Sequence, residues 1–286
     1  MPLETIRAAI AAMGTTLTPD LLGRVRALFD AEQQALAAAV PAAAVDLAYG
    51  PHERHRLDLY GTADGAPKPV LVFVHGGGFL RGDKGGDAPE TWPNAAVGRM
   101  AAQAGLIGAV INYRLAPDHT WPAGSEDVLA ALDWLVAHAA DHGGDPQRIV
   151  LMGTSAGAVH VAGAIRLRPD LTIRGAVLLS GLYGHTPLDE RDMLYYGAAA
   201  DYAARAPREA MVATTLPLLV ATAEFDPPRF QAEFLGLMAD RLARHGTMPR
   251  GHIASGHNHY SMAMHLGTAD RRLADEIVAF VRETCA

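Results

Sequence analysis

The sequence predicts an α/β chain: a mostly parallel, eight-stranded sheet with helices on both faces and an N-terminal helical cap. Three observations predict it. Solid apolar runs recur along the chain: "VLVFV" (70–74), "IGAVI" (107–111), "RIVLM" (148–152), "AVLLS" (176–180) and "PLLVAT" (217–222). Stretches of helical periodicity separate most of them, and unbroken strands alternating with helices form a parallel sheet buried on both sides. The first two strand signals are different. "AVDLAYG" and "HRLDLYG" alternate and are joined by "PHER", so they read as an antiparallel pair.

Taken in order, Leu3, Ile6, Ile10 and Met13 recur at helical spacing, and a second helix opens at "TPDLLGRVRALF". There Thr18 is expected to cap and Pro19 to fill the first helical position, with Leu22, Val25 and Phe29 as the apolar stripe. These helices and an Ala-rich tail to about residue 44 are expected to pack as a cap. The antiparallel pair and the five apolar runs follow, and "PRGHIA" (249–254) is a weaker eighth strand. Among the intervening helices, "SEDVLAALDWLVAHA" places Val128, Leu132 and Leu135 on one face, with Ser125 as the expected cap. No repeat or low-complexity linker divides the chain. A single domain over 1–286 is expected, with cap helices over 1–44 and a second cap insertion over about 181–215.

Composition narrows the function. The 286 residues are 50% hydrophobic and 19% charged, with a formal charge of −7. That balance and the lack of a Lys/Arg cluster argue against a nucleic-acid partner. No stretch approaches 18 uninterrupted strongly apolar residues, so no membrane span is expected. Glu4 stands where a secretory leader would be basic, which predicts a soluble, cytoplasmic protein. The one cysteine, Cys285, forms no internal disulfide, and "RETCA" reads as a solvated tail.

The chemistry centres on "VLMGTSAGA" (150–158). The chain has five serines, and Ser155 stands between two glycines, directly after a buried strand and before a helix. That puts it at the carboxyl end of a parallel strand, where open α/β sheets place their ligands. The turn there is sharp, and Gly153 and Gly157 remove side chains that would collide; this is the nucleophile elbow. A serine hydroxyl needs a base, and the base needs an orienting acid. "PLLVATAEFDPP" supplies Glu224 and Asp226 at the end of a later strand, and "ASGHNHYS" supplies His257 and His259 in the loop after the last one. "HGGGFLRGD" ends another strand with three glycines, leaving main chain open to a substrate oxygen. The amides of Gly77, Gly78 and Ala156 are the expected oxyanion donors. No Gly-Lys-Ser/Thr follows these glycines, as a phosphate-binding loop requires.

With "HGGGF", "YRLAPDHTWPAGSEDV", "GTSAG" and "EFDPP" in this order, the chain resembles the hormone-sensitive-lipase-like carboxylesterases of the α/β-hydrolase fold over roughly residues 56–260. The resemblance implies Ser155 as nucleophile, Asp226 as acid, and Gly77, Gly78 and Ala156 as the oxyanion hole. It favours His259 as base, with Tyr260 packing beside it. It also implies that His75 holds the glycine loop, and that Glu126 and Asp127 brace the active-site loops. Two departures stand out. "DPPRF" lacks the second acidic residue frequent in relatives, and "GHNHYS" replaces their His-Gly-Phe, which leaves two histidines in contention.

The expected function is hydrolysis of short- to medium-chain carboxylic esters through an acyl-enzyme. No cofactor or metal is expected, the partner is a small-molecule ester, and a homodimer is compatible with the reading. A metal set of His257, His259 and His265 lacks a carboxylate or cysteine close by in sequence. An amide, carbamate or formamide hydrolase could use the same residues, with Leu182, Tyr183, Tyr195 and Tyr196 shaping its pocket or forming cap core. A non-catalytic ligand receptor on this fold is the rival outside enzymes.

Overall fold

A computed structural model of the chain describes residues 1–18, 20–63, 65–86 and 91–286. Its strands are β1 (Ala42–Ala48), β2 (Arg56–Tyr60), β3 (Lys68–Val74), β4 (Ile107–Ile111), β5 (Gly144–Thr154), β6 (Gly175–Leu179), β7 (Leu218–Phe225) and β8 (Arg250–Asn258). They form one eight-stranded sheet in the order β1-β2-β4-β3-β5-β6-β7-β8. β1 pairs antiparallel with β2, and β2 with β4; from β4 to β8 every pairing is parallel. The expected α/β class and strand count are those observed.

The helices are α1 (Leu3–Met13), α2 (Leu21–Ala39), α3 (Trp92–Gln103), α4 (Ala123–His138), α5 (Ala156–Leu167), α6 (Met193–Tyr196), α7 (Tyr202–Arg205), α8 (Arg208–Ala213), α9 (Pro228–His245), α10 (Ser261–Met264) and α11 (Arg272–Thr284). Alternation along the strands feeds two cores. Val70, Val72 and Val74 of β3 face one way and pack with Leu132 of α4, Ile165 of α5 and Leu237 of α9. Leu71 and Phe73 face the other way and pack with Val97 of α3 and Ile277 of α11. Burial on both faces explains why these strands carry no polar alternation. β8 closes one edge of the sheet, and its first residues alternate in exposure, which explains the weaker apolar signal there.

α1 and α2 bury Ile6, Ile10, Leu21, Val25 and Phe29 against Trp92 and Ala96 of α3 and Met264 of α10. Two sequence expectations need correction here, and a third falls on a residue that is not described. α2 begins at Leu21, with Asp20 at its N-cap and no side-chain cap bond, so Thr18 does not cap it. Pro19 lies outside the described residues. The Ala-rich tail is no separate segment: α2 runs to Ala39, and Ala42–Ala44 already belong to β1, because alanine serves a helix and an edge strand equally well.

Ser125 is not a cap either. α4 starts two residues earlier, at Ala123, and Ser125 is buried inside the helix against Gly163 of α5, where only a glycine leaves room for its Oγ. Cys285 is not solvated: α11 carries it back onto the sheet, and it is buried in the second core. Burial also raises its thiol above the usual range, which favours the inert protonated form. Among the described residues no helix is long and apolar enough to cross a membrane.

Candidate active site

β5 ends at Thr154 and α5 starts at Ala156, leaving Ser155 alone on the turn with φ 53° and ψ −123°. Positive φ is costly for a residue with a Cβ, roughly 1–3 kcal/mol, and persists only where the surroundings impose it. Here they do. The Ser155 amide donates to Leu179 O of β6 at 2.8 Å, and the helix behind it is pressed onto β3. A Cβ on Gly157 would stand 2.0 Å from Val74 O, and one on Gly153 would stand 2.4 Å from Gly157. The two glycines therefore permit the close approach that projects Ser155 above the sheet.

β7 ends one strand over from β6, and Asp226 follows it, fully buried. Its Oδ2 accepts from Ser180 Oγ at 2.6 Å, Thr222 Oγ1 at 2.8 Å and the Ala223 amide at 2.7 Å, and its Oδ1 meets His259 Nδ1 at 2.8 Å. Burial alone would raise this carboxyl. The hydrogen bonds from His259, Ser180 and Ala223 outweigh it and hold Asp226 below the ordinary range, so it stays ionised. His259 Nε2 then lies 3.0 Å from Ser155 Oγ. The structure thus brings Ser155, His259 and Asp226 into one hydrogen-bonded line. Glu224, the other acidic candidate, is exposed and instead accepts from the Gly256 amide at 2.8 Å.

His257 lies elsewhere. The expected loop is in fact the end of β8, which runs to Asn258, where it pairs with Phe225 after a register shift. His257 is buried, with Nδ1 3.1 Å from Ser261 Oγ and Nε2 3.3 Å from Asp270 Oδ2. Its ring stacks on His265 at 3.7 Å. Asp270 is the carboxylate that sequence proximity did not suggest. Arg7 of α1 and Arg272 occupy it as well, and among the described residues no three His, Cys, Asp or Glu side chains form a metal-ligand group. Neither Asp270 nor His257 reaches the cavity described below.

The glycine loop follows β3. His75 is fully buried, its Nδ1 2.7 Å from Gly76 O and its ring 4.4 Å from Tyr113, whose hydroxyl donates to His75 O at 2.9 Å. Burial lowers its pKa to about 4, so it is neutral and works as a hydrogen-bonding brace. Gly77 (φ 136°) and Gly78 (φ 59°) both take left-handed conformations; a Cβ on Gly77 would stand 1.8 Å from Arg81 O. Ala156 is the first residue of α5, so its amide is one of the orphan donors of that helix. Asp127 braces the neighbouring loop: buried, it accepts from the Arg114 amide at 2.7 Å and from Arg114 Nε at 2.8 Å, while His55 Nε2 lies 3.1 Å away. Glu126 adds an exposed contact to Arg114 at 3.2 Å.

A cavity of about 600 Å³ opens over Ser155, walled by the three loop glycines, Phe230, His259 and Tyr260, with Leu17 and Leu22 from the N-terminal segment. Of the four residues weighed for the pocket, Leu182 lines it. Tyr195 and Tyr196 are buried with Phe79 and Trp121, and Tyr183 lies in the first core; they are packing. Sequence reasoning missed two clamps. Glu233 of α9 is fully buried and gathers the amides of Tyr183, Gly184, His185 and Thr186. Arg229, part of the unusual "DPPRF", bridges Asp189 and Asp192, each at 2.6 Å. The departure from the family pattern was the only signal for the second, and a lone glutamate in an amphipathic helix gave none for the first.

A family model described as the alpha/beta hydrolase fold matches residues 71–262. The chain is similar to the probable carboxylic ester hydrolase LipM of Mycobacterium tuberculosis, 34% identical over 166 aligned residues, in a match that covers 51% of this chain and 36% of that one. It is also similar to the carboxylesterase NlhH of Mycobacterium tuberculosis, 46% identical over 89 residues, 31% of this chain and 26% of that one. It spans little more than a third of these relatives' length at most. Among solved structures, a bacterial heroin esterase superposes with a TM-score of 0.68 at 26% identity, covering 99% of this chain and 98% of that one.

Proposed function

Because the chain belongs to the α/β-hydrolase-fold family, we propose that it is a serine carboxylesterase acting on small to medium esters. The observation that carries the reading is the line from Ser155 Oγ through His259 to ionised Asp226, ending under a mainly apolar cavity. In this reading Ser155 attacks the ester carbonyl while His259 takes its proton. His259 then returns that proton to the departing alcohol, leaving an acyl-serine, and water repeats the sequence to release the acid. Asp226 holds the imidazole with Nε2 towards the serine and stabilises the imidazolium. The amides of Gly77, Gly78 and Ala156 receive the oxyanion, a contribution of about 2.7–4 kcal/mol for each donor that counts.

The cavity volume suits acyl groups from acetyl to about octanoyl. The relatives' names, a carboxylic ester hydrolase and a carboxylesterase, favour an ester over an amide or carbamate. The proposal extends to a cytoplasmic enzyme, with a homodimer left open; cell fractionation and sedimentation test these two points. The central test is labelling with a sulfonyl fluoride and peptide mapping. One adduct at Ser155 is expected, together with loss of ester turnover in Ser155→Ala. An adduct at Ser180 or Ser261, or an active Ser155→Ala, overturns the reading.

A further inference from the structure

Four arginines, Arg26, Arg81, Arg191 and Arg229, line the cavity against two aspartates, Asp189 and Asp192, although the whole chain carries −7. Two of these cations are engaged. Arg229 holds both aspartates at 2.6 Å, and Arg26 lies over the Trp92 ring at 5.7 Å and near Asp30. Arg81 and Arg191 form no ion pair among the described residues, and both are exposed at the cavity.

Their place is next to the nucleophile. A Cβ on Gly76 would stand 3.2 Å from Ser155 Cβ, so the glycine loop lies against the serine. The Arg191 guanidinium covers the next stretch of that loop: a Cβ on Gly78 would meet its Nη2 at 2.5 Å and its Nε at 2.9 Å. The guanidinium thus lies directly over Gly78, whose positive φ of 59° favours glycine in its own right. A guanidinium with unused donors offers a carboxylate two parallel hydrogen bonds, and at the mouth of an apolar cavity the pairing is screened less than on open surface.

We propose that the enzyme selects esters bearing a carboxylate a few bonds from the ester carbonyl, held by Arg191 with Arg81 as a second cation lining the same cavity. This rests on the esterase reading above. The shared chemistry is the carboxylate; it can sit on the acyl side, as in a half-ester of a short dicarboxylic acid, or on the alcohol side.

The experiment is a pH-stat comparison of matched pairs at about 10 mM salt. Monomethyl succinate is compared with methyl butyrate, and O-acetylglycolate with ethyl acetate. At least one charged-to-neutral ratio of kcat/KM is expected to exceed one. That ratio should fall about tenfold in Arg191→Ala and further in Arg191→Glu. It should also fall in Arg81→Ala, and as salt rises to about 0.5 M, where the Debye length shrinks to a few ångströms. The pair that responds tells which side of the ester carries the charge. Ratios at or below one for both pairs, or ratios that neither arginine moves, overturn the proposal while the neutral esters are still turned over. No turnover of any ester would instead overturn the esterase reading and this proposal with it.

Discussion

Acid should unfold this protein early, and three buried imidazoles set the scale. His75, His160 and His265 are all fully buried, and burial lowers them to about 4, about 3 and about 3. In the unfolded chain each titrates near 6.5. Their native values are depressed, so their share of stability is intact above about pH 6.5 and is lost as pH falls from there, because only the unfolded state takes up the protons. Between pH 7 and pH 5 each costs about 2 kcal/mol, roughly 6 kcal/mol for the three. Net stabilities of domains are roughly 5–15 kcal/mol. His55, His185 and His252, also lowered by burial, act in the same sense, whereas buried Asp58 and Asp192 are raised and oppose it. Urea unfolding followed by tryptophan fluorescence from pH 7.5 to 5 should show about three protons taken up near pH 5.5, a slope of about 4 kcal/mol per pH unit. His265→Gln should remove about one proton from that slope. A midpoint that stays flat to pH 5, or a slope that His265→Gln leaves intact, would refute the reasoning.

Three further outcomes are expected. His259→Ala should lose roughly 10⁴-fold in kcat, the scale seen when a triad partner is disabled, whereas His257→Ala should keep kcat within about tenfold and lose about 2–4 kcal/mol of stability through its buried cavity; steady-state kinetics and urea midpoints on both variants separate the roles. Gly157→Ala should abolish the elbow, since its Cβ would collide with Val74 O; a variant with normal expression and turnover would show the turn to be looser than described. Glu233→Gln trades an acceptor for an amide in front of four backbone donors, so a loss of about 3 kcal/mol is expected along with faster proteolysis near residues 183–186; an unchanged midpoint would mean that this carboxylate does not hold the loop.

The central strands were legible because a parallel sheet covered on both faces demands unbroken apolar residues, and "VLVFV" and "RIVLM" carry that demand openly. β8 was read four residues too short at its end, because past Ala254 its side chains are mostly not apolar, with His257 and Asn258 buried and their partners on α10 and at Asp270. Helix starts failed for another reason. Ser125 and Thr18 are of capping type, but tertiary packing, against Gly163 in the first case, decides where they stand. At the site, the strand order placed candidates after the right strands, Ser155 uniquely, while the choice of Asp226 over Glu224 and of His259 over His257 came from the family resemblance and not from spacing. The hydroxyls of Ser180 and Thr222 that hold Asp226 come from two different strands, and no local pattern links them.

The N-terminal helices pack on α3, but several of their polar anchors lie near the other end of the chain. Gln33 donates to the carbonyls of Met264 and Leu266, Glu32 accepts from the Ala269 amide, and Arg7 meets Asp270; the separations run from 231 to 263 residues. During vectorial synthesis at about 5–20 residues per second, α1 and α2 must therefore wait on the order of 10–50 s for these anchors. Through that interval Leu21, Val25 and Phe29 can meet Trp92 and Ala96 of α3 but lack Met264 and the bonds to the last helices that complete their seat. Nascent chains stalled near residue 250 should be cut by protease within residues 1–39 while the released chain resists. Protection already present in the stalled chain would mean that Trp92 and Ala96 of α3 suffice to seat the helices. The wall that Leu17 and Leu22 give the pocket thus depends on contacts that become available only after α10 has emerged.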